Sequence, residues 1–194
     1  TFDEIYELSQ QEDVVILDVR SPIEFEKGFI DNSINIGKSG MFAPWVGTII
    51  SPNDKIILIC NKDEEKEVVS RLGRIGYENV IGFSTEISSW IHSNKNMNSL
   101  HSIYANDIDQ YKKNSVFLDV RKESELLVGS VANSINIPLD TLFDNLNKLN
   151  KSDEIIIYCA GGYRSVIAAS ILMSEGFKNV KNIYGGFKSI AAIN

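Results

Sequence analysis

The sequence predicts an α/β fold of two similar domains, each a parallel sheet with helices on both faces. Short apolar runs without polar alternation recur at 14–19, 56–60, 116–120 and 155–159, as is typical of strands buried on both faces. Amphipathic stretches such as 164–175 lie between these runs and are expected to be helices. Strands that alternate with helices indicate the α/β class, and an internal repeat indicates two domains.

The repeat has a period near 100 residues and covers most of the chain. Four segments recur in the same order: Val-Ile-Leu-Asp-Val-Arg at 15–20 and Val-Phe-Leu-Asp-Val-Arg at 116–121, Asn-Ser-Ile-Asn-Ile at 32–36 and 133–137, the apolar runs ending at Cys60 and Cys159, and Gly-Tyr-Glu-Asn-Val at 76–80 and Gly-Phe-Lys-Asn-Val at 176–180. Solenoid repeats run to about 20–50 residues, so this period indicates a duplicated domain. We predict domains over 1–92 and 103–194, joined by an Asn- and Ser-rich linker over 93–102.

The formal net charge of −7 arises in the first half of the chain. Residues 1–100 hold 16 acidic and 9 basic residues, whereas residues 101–194 hold 10 of each. A nucleic-acid-binding surface needs clustered Lys and Arg, which this distribution does not offer. We therefore expect no nucleic-acid partner, and we interpret the excess of carboxylates as a solvated acidic face.

The sequence contains neither a run of about 20 apolar residues nor a signal peptide, so membrane association is not expected. Its first residue is Thr1, which leaves open that the chain is a fragment. The two cysteines, Cys60 and Cys159, follow strand patterns in different halves, where a disulfide between them is not expected. Free thiols in a reducing compartment indicate the cytoplasm.

The most informative segment is 155–165, which reads as a strand, a tight loop and the start of a helix. Cys159 stands at the carboxyl end of the strand, where open α/β sheets carry their active sites. Gly161 and Gly162 allow the backbone N–H groups to turn toward the sulfur, and the helix from Arg164 adds its positive end. Such surroundings can lower a thiol pKa from about 8.5 to below about 7, which predicts a nucleophilic thiolate. The alternative is a buried structural cysteine, which is common.

The Cys-Ala-Gly-Gly-Tyr-Arg-Ser loop resembles that of the rhodanese family of sulfurtransferases. Other family marks are the strand end Asp119-Val120-Arg121, the following Glu125, the segment 133–138, and Gly185-Gly186. The resemblance covers nearly all of residues 101–190 and implies ping-pong sulfur transfer. Cys159 would take sulfane sulfur from thiosulfate or a low-molecular-weight persulfide, then pass it as a persulfide to cyanide, sulfite or a thiol. The implied partners are thus a small-molecule donor and acceptor, with no metal or organic cofactor.

Cys159 is the predicted catalytic residue of this sulfurtransferase. The predicted active-site loop comprises Ala160, Gly161, Gly162, Tyr163, Arg164 and Ser165, and the supporting residues are Asp119, Arg121 and Glu125. Arg164 is expected to support the loop and to favour anionic donors, unless it is only a surface residue at the helix start. Arg121 and Glu125 either meet the substrate or form an ion pair that ties the loop to the sheet. Tyr163 either lines the pocket or packs against a partner.

Loop length distinguishes this chemistry from that of cysteine-dependent phosphatases. Phosphatases that resemble the rhodanese fold have five residues between Cys and Arg, which encircle a phosphate. Four residues separate Cys159 from Arg164. The tighter ring suits a sulfur atom better than a tetrahedral oxyanion, so phosphatase or arsenate reductase activity is not expected.

The first half departs from this pattern after Cys60, where Asn-Lys-Asp-Glu-Glu-Lys-Glu follows. This loop has no glycine to curl the backbone, and it is one residue shorter when counted from the matched Gly76 and Gly176. Glu64 falls where Arg164 falls in the second half. Carboxylates there would repel an anionic donor and raise the thiol pKa. We therefore predict that the first domain is a degenerate copy with a structural, interaction or occluding role.

The stretch 40–47, which contains Pro44 and Trp45, is an insertion relative to the second half. It either covers the other half or binds another domain, or it packs on its own core. Tandem units with a silent first copy and an apolar Pro-Trp loop resemble the C-terminal part of fusions with a metallo-β-lactamase-fold persulfide dioxygenase or hydrolase. Such an N-terminal metallo-hydrolase domain would be a partner outside this chain, which would then be a non-catalytic sulfur-accepting or partner-docking module. His92 and His101 are solitary, so no metal site is expected within the chain.

Overall fold

The computed structural model describes residues 1–11, 13–92 and 97–193, which form two compact units, Thr1–Ser99 and Leu100–Asn194. The first unit has a four-stranded parallel sheet in the order β2-β1-β3-β4. Its strands are β1 (Val14–Asp18), β2 (Ser33–Asn35), β3 (Lys55–Ile59) and β4 (Val80–Ser84). Its helices are α1 (Phe2–Leu8), α2 (Pro22–Lys27), α3 (Phe42–Ile49), α4 (Glu65–Gly73) and α5 (Ile87–His92).

The second unit has a five-stranded parallel sheet in the order β5-β9-β8-β6-β7. Its strands are β5 (His101–Ile103), β6 (Ser115–Asp119), β7 (Ile135–Asn136), β8 (Glu154–Tyr158) and β9 (Val180–Ile183). Its helices are α6 (Tyr163–Ser174) and α7 (Gly186–Ala191), and its 3₁₀ helices are Ala105–Gln110, Glu123–Val128, Leu139–Thr141 and Phe143–Lys148.

Both sheets bury apolar side chains on their two faces. In the second unit Phe117, Ile156 and Tyr158 pack with Ile108 of the first 3₁₀ helix and Ile190 of α7. Their neighbours along the strands alternate to the opposite face, where α6 packs on β8 and β9. The first unit buries α1 and α5 against one face of its sheet in the same manner. The predicted fold class, two α/β domains with parallel sheets, is confirmed.

The four strands predicted from apolar runs lie within one residue of β1, β3, β6 and β8. The predicted linker over 93–102 lies partly outside the described residues, which do not include 93–96. Its last residues, His101 and Ser102, form strand β5 together with Ile103 and pair with β9. The second unit therefore begins inside the predicted linker. The sequence did not predict β5, because a strand of three residues is too short to produce a recognisable pattern.

The insertion at 40–47 packs on its own domain. Its residues enter α3, where Phe42, Trp45 and Val46 are buried. The Tyr77 hydroxyl donates to the Ile50 carbonyl at 2.7 Å and lies 3.2 Å from the Val46 carbonyl, which ties the end of α3 to the segment after α4. The interpretation that the insertion packs on its own core therefore holds for Phe42 and Trp45.

Replacing Tyr77 with Phe should lower the free energy of unfolding of the first domain by about 1–2 kcal/mol, because a buried carbonyl then loses its donor. Urea unfolding followed by tryptophan fluorescence reports this domain alone, since Trp45 and Trp90 both lie in it. Tyr6→Phe is the matched control, because Tyr6 is exposed. Equal unfolding midpoints for the two variants would contradict the anchoring role of Tyr77.

Candidate active site

A buried Asp–Arg ion pair stands at the carboxyl end of an interior strand of each sheet, β1 in the first and β6 in the second. In the second domain Arg121 Nε lies 2.9 and 3.1 Å from the two Asp119 oxygens, and Nη2 lies 2.6 Å from Oδ2. The Asn136 side chain donates to the backbone carbonyls of both residues at 2.8 and 2.9 Å. The first domain repeats this arrangement with Asp18–Arg20 and Asn35.

The remaining N–H groups of Arg121 shape the chain that follows it. They donate to the carbonyls of Glu125 at 3.3 Å and Gly129 at 2.8 Å, so the 3₁₀ helix Glu123–Val128 folds around the guanidinium. The Phe187 and Tyr158 rings lie 4.2 and 5.6 Å from it, in cation–π geometry. Arg121 is fully buried by these partners and therefore acts through the fold rather than on a ligand.

Cys159 is the first residue after β8, and only 1% of its surface is exposed. The Gly162 backbone N–H donates a hydrogen bond to Cys159 Sγ at 3.1 Å. Gly162 has φ of +101°, in the left-handed region that favours glycine, and α6 begins at the next residue. The positive end of a 12-residue helix thus lies beside the sulfur, an arrangement that stabilises negative charge on it.

The outer side of the cysteine loop is fixed by the start of α7. Phe187 N–H donates to the Cys159 carbonyl at 2.7 Å, and Lys188 N–H donates to the Ala160 carbonyl at 3.1 Å. Gly186 has φ of +60°, and a Cβ on it would overlap the Cys159 carbonyl oxygen and lie 2.9 Å from Gly161 N. Only glycine permits this approach, so Gly186 is required for the loop to hold its shape.

Glu125 and Arg164 form a bidentate ion pair, with N–O distances of 2.6 and 2.7 Å. The hydrogen bonds from Arg164 lower the pKa of the Glu125 carboxyl to about 2. The hydrogen bonds to Glu125 raise the pKa of Arg164, against the effect of burial, and attraction to Cys159 acts in the same direction as Glu125. The expected alternative, an ion pair between Arg121 and Glu125, is thus replaced by two separate pairs, Asp119–Arg121 and Glu125–Arg164.

The other predicted loop residues take different positions. The buried Ser165 hydroxyl donates to the Gly162 carbonyl at 3.2 Å and so closes the turn from the helix side. Tyr163 is partly buried, and Gly161 is exposed. The loop therefore brings Gly162 and Arg164 to the sulfur, whereas Asp119 and Arg121 support it from the sheet.

The corresponding cysteine of the first domain has different surroundings. Burial, followed by the carboxylates of Glu65 and Glu64, raises the pKa of the Cys60 thiol to about 12. Asp63 stands as far after Cys60 as Gly162 stands after Cys159, and its φ of +69° is also left-handed. The backbone therefore curls without the glycine that we expected to be necessary, but burial and the neighbouring carboxylates keep the Cys60 thiol protonated at neutral pH.

Sequence reasoning missed several positioning residues of this site. The sequence marks Gly186 only by the resemblance to the family, and it gives no sign that Phe187 contacts Arg121. The internal repeat carried a usable signal for Gly186, because the matched position in the first half is Glu86. Asn136 also had a signal, since it repeats Asn35 beside the repeated Asp–Arg strand end.

Residues 1–11, 13–92 and 97–193 include no group of three or more His, Cys, Asp or Glu side chains that could hold a metal ion. No helix among them has the length and apolar composition needed to cross a membrane.

Each of the two parallel sheets has a cysteine directly after an interior strand. The protein is thus a duplicated α/β protein with a cysteine loop at the carboxyl ends of the strands. The family model of the Rhodanese-like domain matches residues 1–93 and again residues 104–193. The chain therefore belongs to the rhodanese family and contains two copies of its domain.

Several proteins are similar to part of this chain. The tRNA uridine(34) hydroxylase of Photorhabdus laumondii is 36% identical over 78 residues, which cover 37% of this chain and 22% of the hydroxylase. YrkF of Bacillus subtilis, a candidate sulfur carrier protein, is 33% identical over 101 residues, covering 50% of this chain and 54% of YrkF. A crystal structure of a rhodanese-related protein from Thermoplasma volcanium is 36% identical with a TM-score of 0.46, covering 48% of this chain and 93% of that protein.

Substituting Gly186 with Ala should lower the free energy of unfolding of the second domain by about 2–4 kcal/mol, because the new Cβ overlaps the cysteine loop. The second domain contains no tryptophan, so circular dichroism must follow its unfolding while tryptophan fluorescence follows the first domain. Gly161→Ala is the control, since its Cβ meets open space and its φ is not left-handed. A Gly186→Ala protein as stable as the control would refute the tight approach.

The Glu125–Arg164 pair should make the second domain sensitive to acid in a defined window. Because the pKa of Glu125 falls from its ordinary 4.5 to about 2 on folding, its stabilising contribution is present above pH 4.5 and is lost as pH falls toward 2. The difference in unfolding free energy between the native protein and Glu125→Gln should therefore be constant above pH 5 and shrink below about pH 4.5. A difference independent of pH across this window would contradict the pairing.

Proposed function

We propose that the chain is a sulfurtransferase that carries sulfane sulfur as a persulfide on Cys159. The observation that carries this proposal is the hydrogen bond from Gly162 N–H to Cys159 Sγ, in a loop whose other side is closed by α7. A loop of this kind places a sulfur atom, rather than a larger group, against the Gly162 N–H and the positive end of α6. Family membership supports the same chemistry.

In the first half-reaction the Cys159 thiolate attacks the outer sulfur of thiosulfate or a low-molecular-weight persulfide. A new S–S bond forms to Cys159, the S–S bond of the donor breaks, and sulfite or a thiolate leaves with the bonding electrons. The persulfide then holds negative charge on its outer sulfur. The Gly162 N–H and the positive end of α6 stabilise that charge.

In the second half-reaction an acceptor such as cyanide, sulfite or a thiol attacks the outer sulfur. The S–S bond to Cys159 breaks, and the cysteine leaves as a thiolate, ready for the next donor. Each donor leaves before an acceptor reacts, which gives ping-pong kinetics. Neither step requires a metal ion or an organic cofactor.

Arg164 has the role of holding the loop in this proposal. Glu125 occupies both terminal nitrogens of its guanidinium, which neutralises most of its charge. Attraction of an anionic donor therefore depends mainly on the loop N–H groups and the positive end of α6. Asp119 and Arg121 support the reaction indirectly, because they fix the segment that carries Glu125.

The first domain has no catalytic role in this proposal, because the Cys60 thiol has a pKa of about 12 beside two carboxylates. The similarity to YrkF, a candidate sulfur carrier protein, supports sulfur handling by a single domain of this kind. The chain spans about a fifth to about half the length of the curated relatives described above. The hydroxylase activity of one relative is therefore not proposed for this chain.

Incubation of the reduced protein with thiosulfate should add the mass of one sulfur atom, as measured by intact mass spectrometry. Cys159→Ser should abolish the gain and the subsequent transfer of sulfur to cyanide, because the nucleophile is removed. Cys60→Ser is the matched control and should load sulfur as the native protein does. If sulfur loading survived Cys159→Ser but were lost in Cys60→Ser, the reaction would belong to the first domain and the proposal would be wrong.

A further inference from the structure

Tyr158 is the last residue of β8 and directly precedes Cys159 in the chain. Its side chain is fully buried, and its hydroxyl makes two hydrogen bonds to the segment that leads into β7. The hydroxyl accepts from the Val131 backbone N–H at 3.1 Å and donates to Ser134 Oγ at 2.9 Å. The end of the cysteine strand is therefore tied to a turn that lies 24 to 27 residues earlier in the sequence.

The ring of Tyr158 connects the buried ion pair to the start of α7. Arg121 Cζ lies 5.6 Å from the ring centroid. The Phe187 ring stacks beside it, with 6.3 Å between the centroids and 29° between the planes. Phe187 is also the residue whose backbone N–H donates to the Cys159 carbonyl at 2.7 Å. One side chain thus lies beside both the arginine of the ion pair and the residue that holds the cysteine backbone.

The first domain keeps the same turn but has no tyrosine hydroxyl to bind it. Ser33 matches Ser134 at the repeat offset of 101, and the residues before them have left-handed backbones with φ of +64° and +61°. Ile59 stands where Tyr158 stands, and their strands pair in the same register. Among the described residues, the buried Ser33 hydroxyl has no hydrogen-bond partner. The turn forms without the tyrosine, so the hydroxyl is not needed to fold it.

The aromatic neighbour of Tyr158 differs between the domains in the same way. Ile87 matches Phe187 at the repeat offset of 100, so isoleucines stand at both aromatic positions in the first domain. The Asp–Arg ion pair, by contrast, is present in both domains. The hydroxyl and the two rings therefore accompany the cysteine assigned to catalysis, whereas the ion pair accompanies the fold.

We propose that Tyr158 is a positioning residue for sulfur transfer, which fixes the backbone of Cys159 so that its sulfur stays against the Gly162 N–H. The role rests on the proposed function. Cys159 is held at two points, its carbonyl by the Phe187 N–H at 2.7 Å and its sulfur by the Gly162 N–H at 3.1 Å. Misplacing a reacting group by about 1 Å can cost about a hundredfold in rate. An anchor one residue away can thus govern the rate without touching the sulfur.

Loss of the hydroxyl should change the rate of sulfur loading more than the affinity for the donor. Attraction of an anionic donor depends on the positive end of α6, which begins at Tyr163. Tyr158→Phe instead leaves the buried Val131 N–H without its acceptor and frees the end of β8 from the turn. The maximal loading rate should therefore fall, while the donor concentration for half-maximal rate changes little. A loss of folded protein alone would lower the amount loaded and leave both parameters unchanged.

The test uses the full chain and follows sulfur loading from thiosulfate by intact mass spectrometry after a rapid quench, over a range of donor concentrations. Tyr158→Phe should lower the maximal loading rate about tenfold and leave the half-saturating concentration within about twofold of the native value. Ser134→Ala removes only the acceptor of the hydroxyl and should lower the rate about two- to threefold. The double variant should load no more slowly than Tyr158→Phe alone, because Ser134 acts through the tyrosine.

Tyr77→Phe is the matched control, because it also deletes a tyrosine hydroxyl that donates to a buried carbonyl, but in the domain of Cys60. It should load sulfur at the native rate. A native maximal rate in Tyr158→Phe that is folded by circular dichroism, or a change in the half-saturating concentration alone, would overturn the positioning role. If Tyr158→Phe does not fold, a native rate in Ser134→Ala, at a partly exposed residue, overturns it instead. Failure of the native protein to load any sulfur would overturn the proposed function.

Discussion

Each domain depends on a buried Asp–Arg pair at the carboxyl end of the interior strand that precedes its cysteine strand in sequence. Two charges removed from water are tolerated only when their remaining hydrogen-bonding groups also find partners. In the second domain, Arg121 donates its remaining hydrogen bonds to the carbonyls of Glu125 and Gly129. These bonds fix the backbone between Glu125 and Gly129. That path delivers Glu125 to Arg164. The position of the cysteine loop is thus set by a charge that never contacts the sulfur.

The duplication separates what the fold needs from what the chemistry needs. Both domains keep the ion pair and the asparagine that brackets it, so these residues serve the common architecture. They differ in the charge and backbone around the cysteine. Burial, followed by the carboxylates of Glu65 and Glu64, raises the pKa of Cys60 to about 12, whereas Gly162 N–H donates to the sulfur of Cys159. Two cysteines at equivalent strand ends therefore have opposite electrostatic surroundings.

Much of the fold and the cysteine loop could be predicted from sequence because their signals are local. Apolar runs locate the buried strands, and Gly161-Gly162 after Cys159 marks a turn before a helix. The partner of Glu125 could not be predicted, since it lies 39 residues away and the choice between Arg121 and Arg164 depends on the folded path. The role of Gly186 was hidden for the same reason, because it approaches a loop that is distant in sequence.

The requirement for glycine at position 186 also constrains how the first domain could change over time. Glu86 occupies the matched position, and its Cβ would overlap the cysteine carbonyl if the loop after Cys60 took the shape found in the second domain. A new sequence after Cys60 would still clash with the Cβ of Glu86, and a glycine at position 86 would not by itself change the loop after Cys60. The two changes must occur together. Glu86 is therefore a barrier to a cysteine loop of this shape in the first domain, independent of the charges beside Cys60.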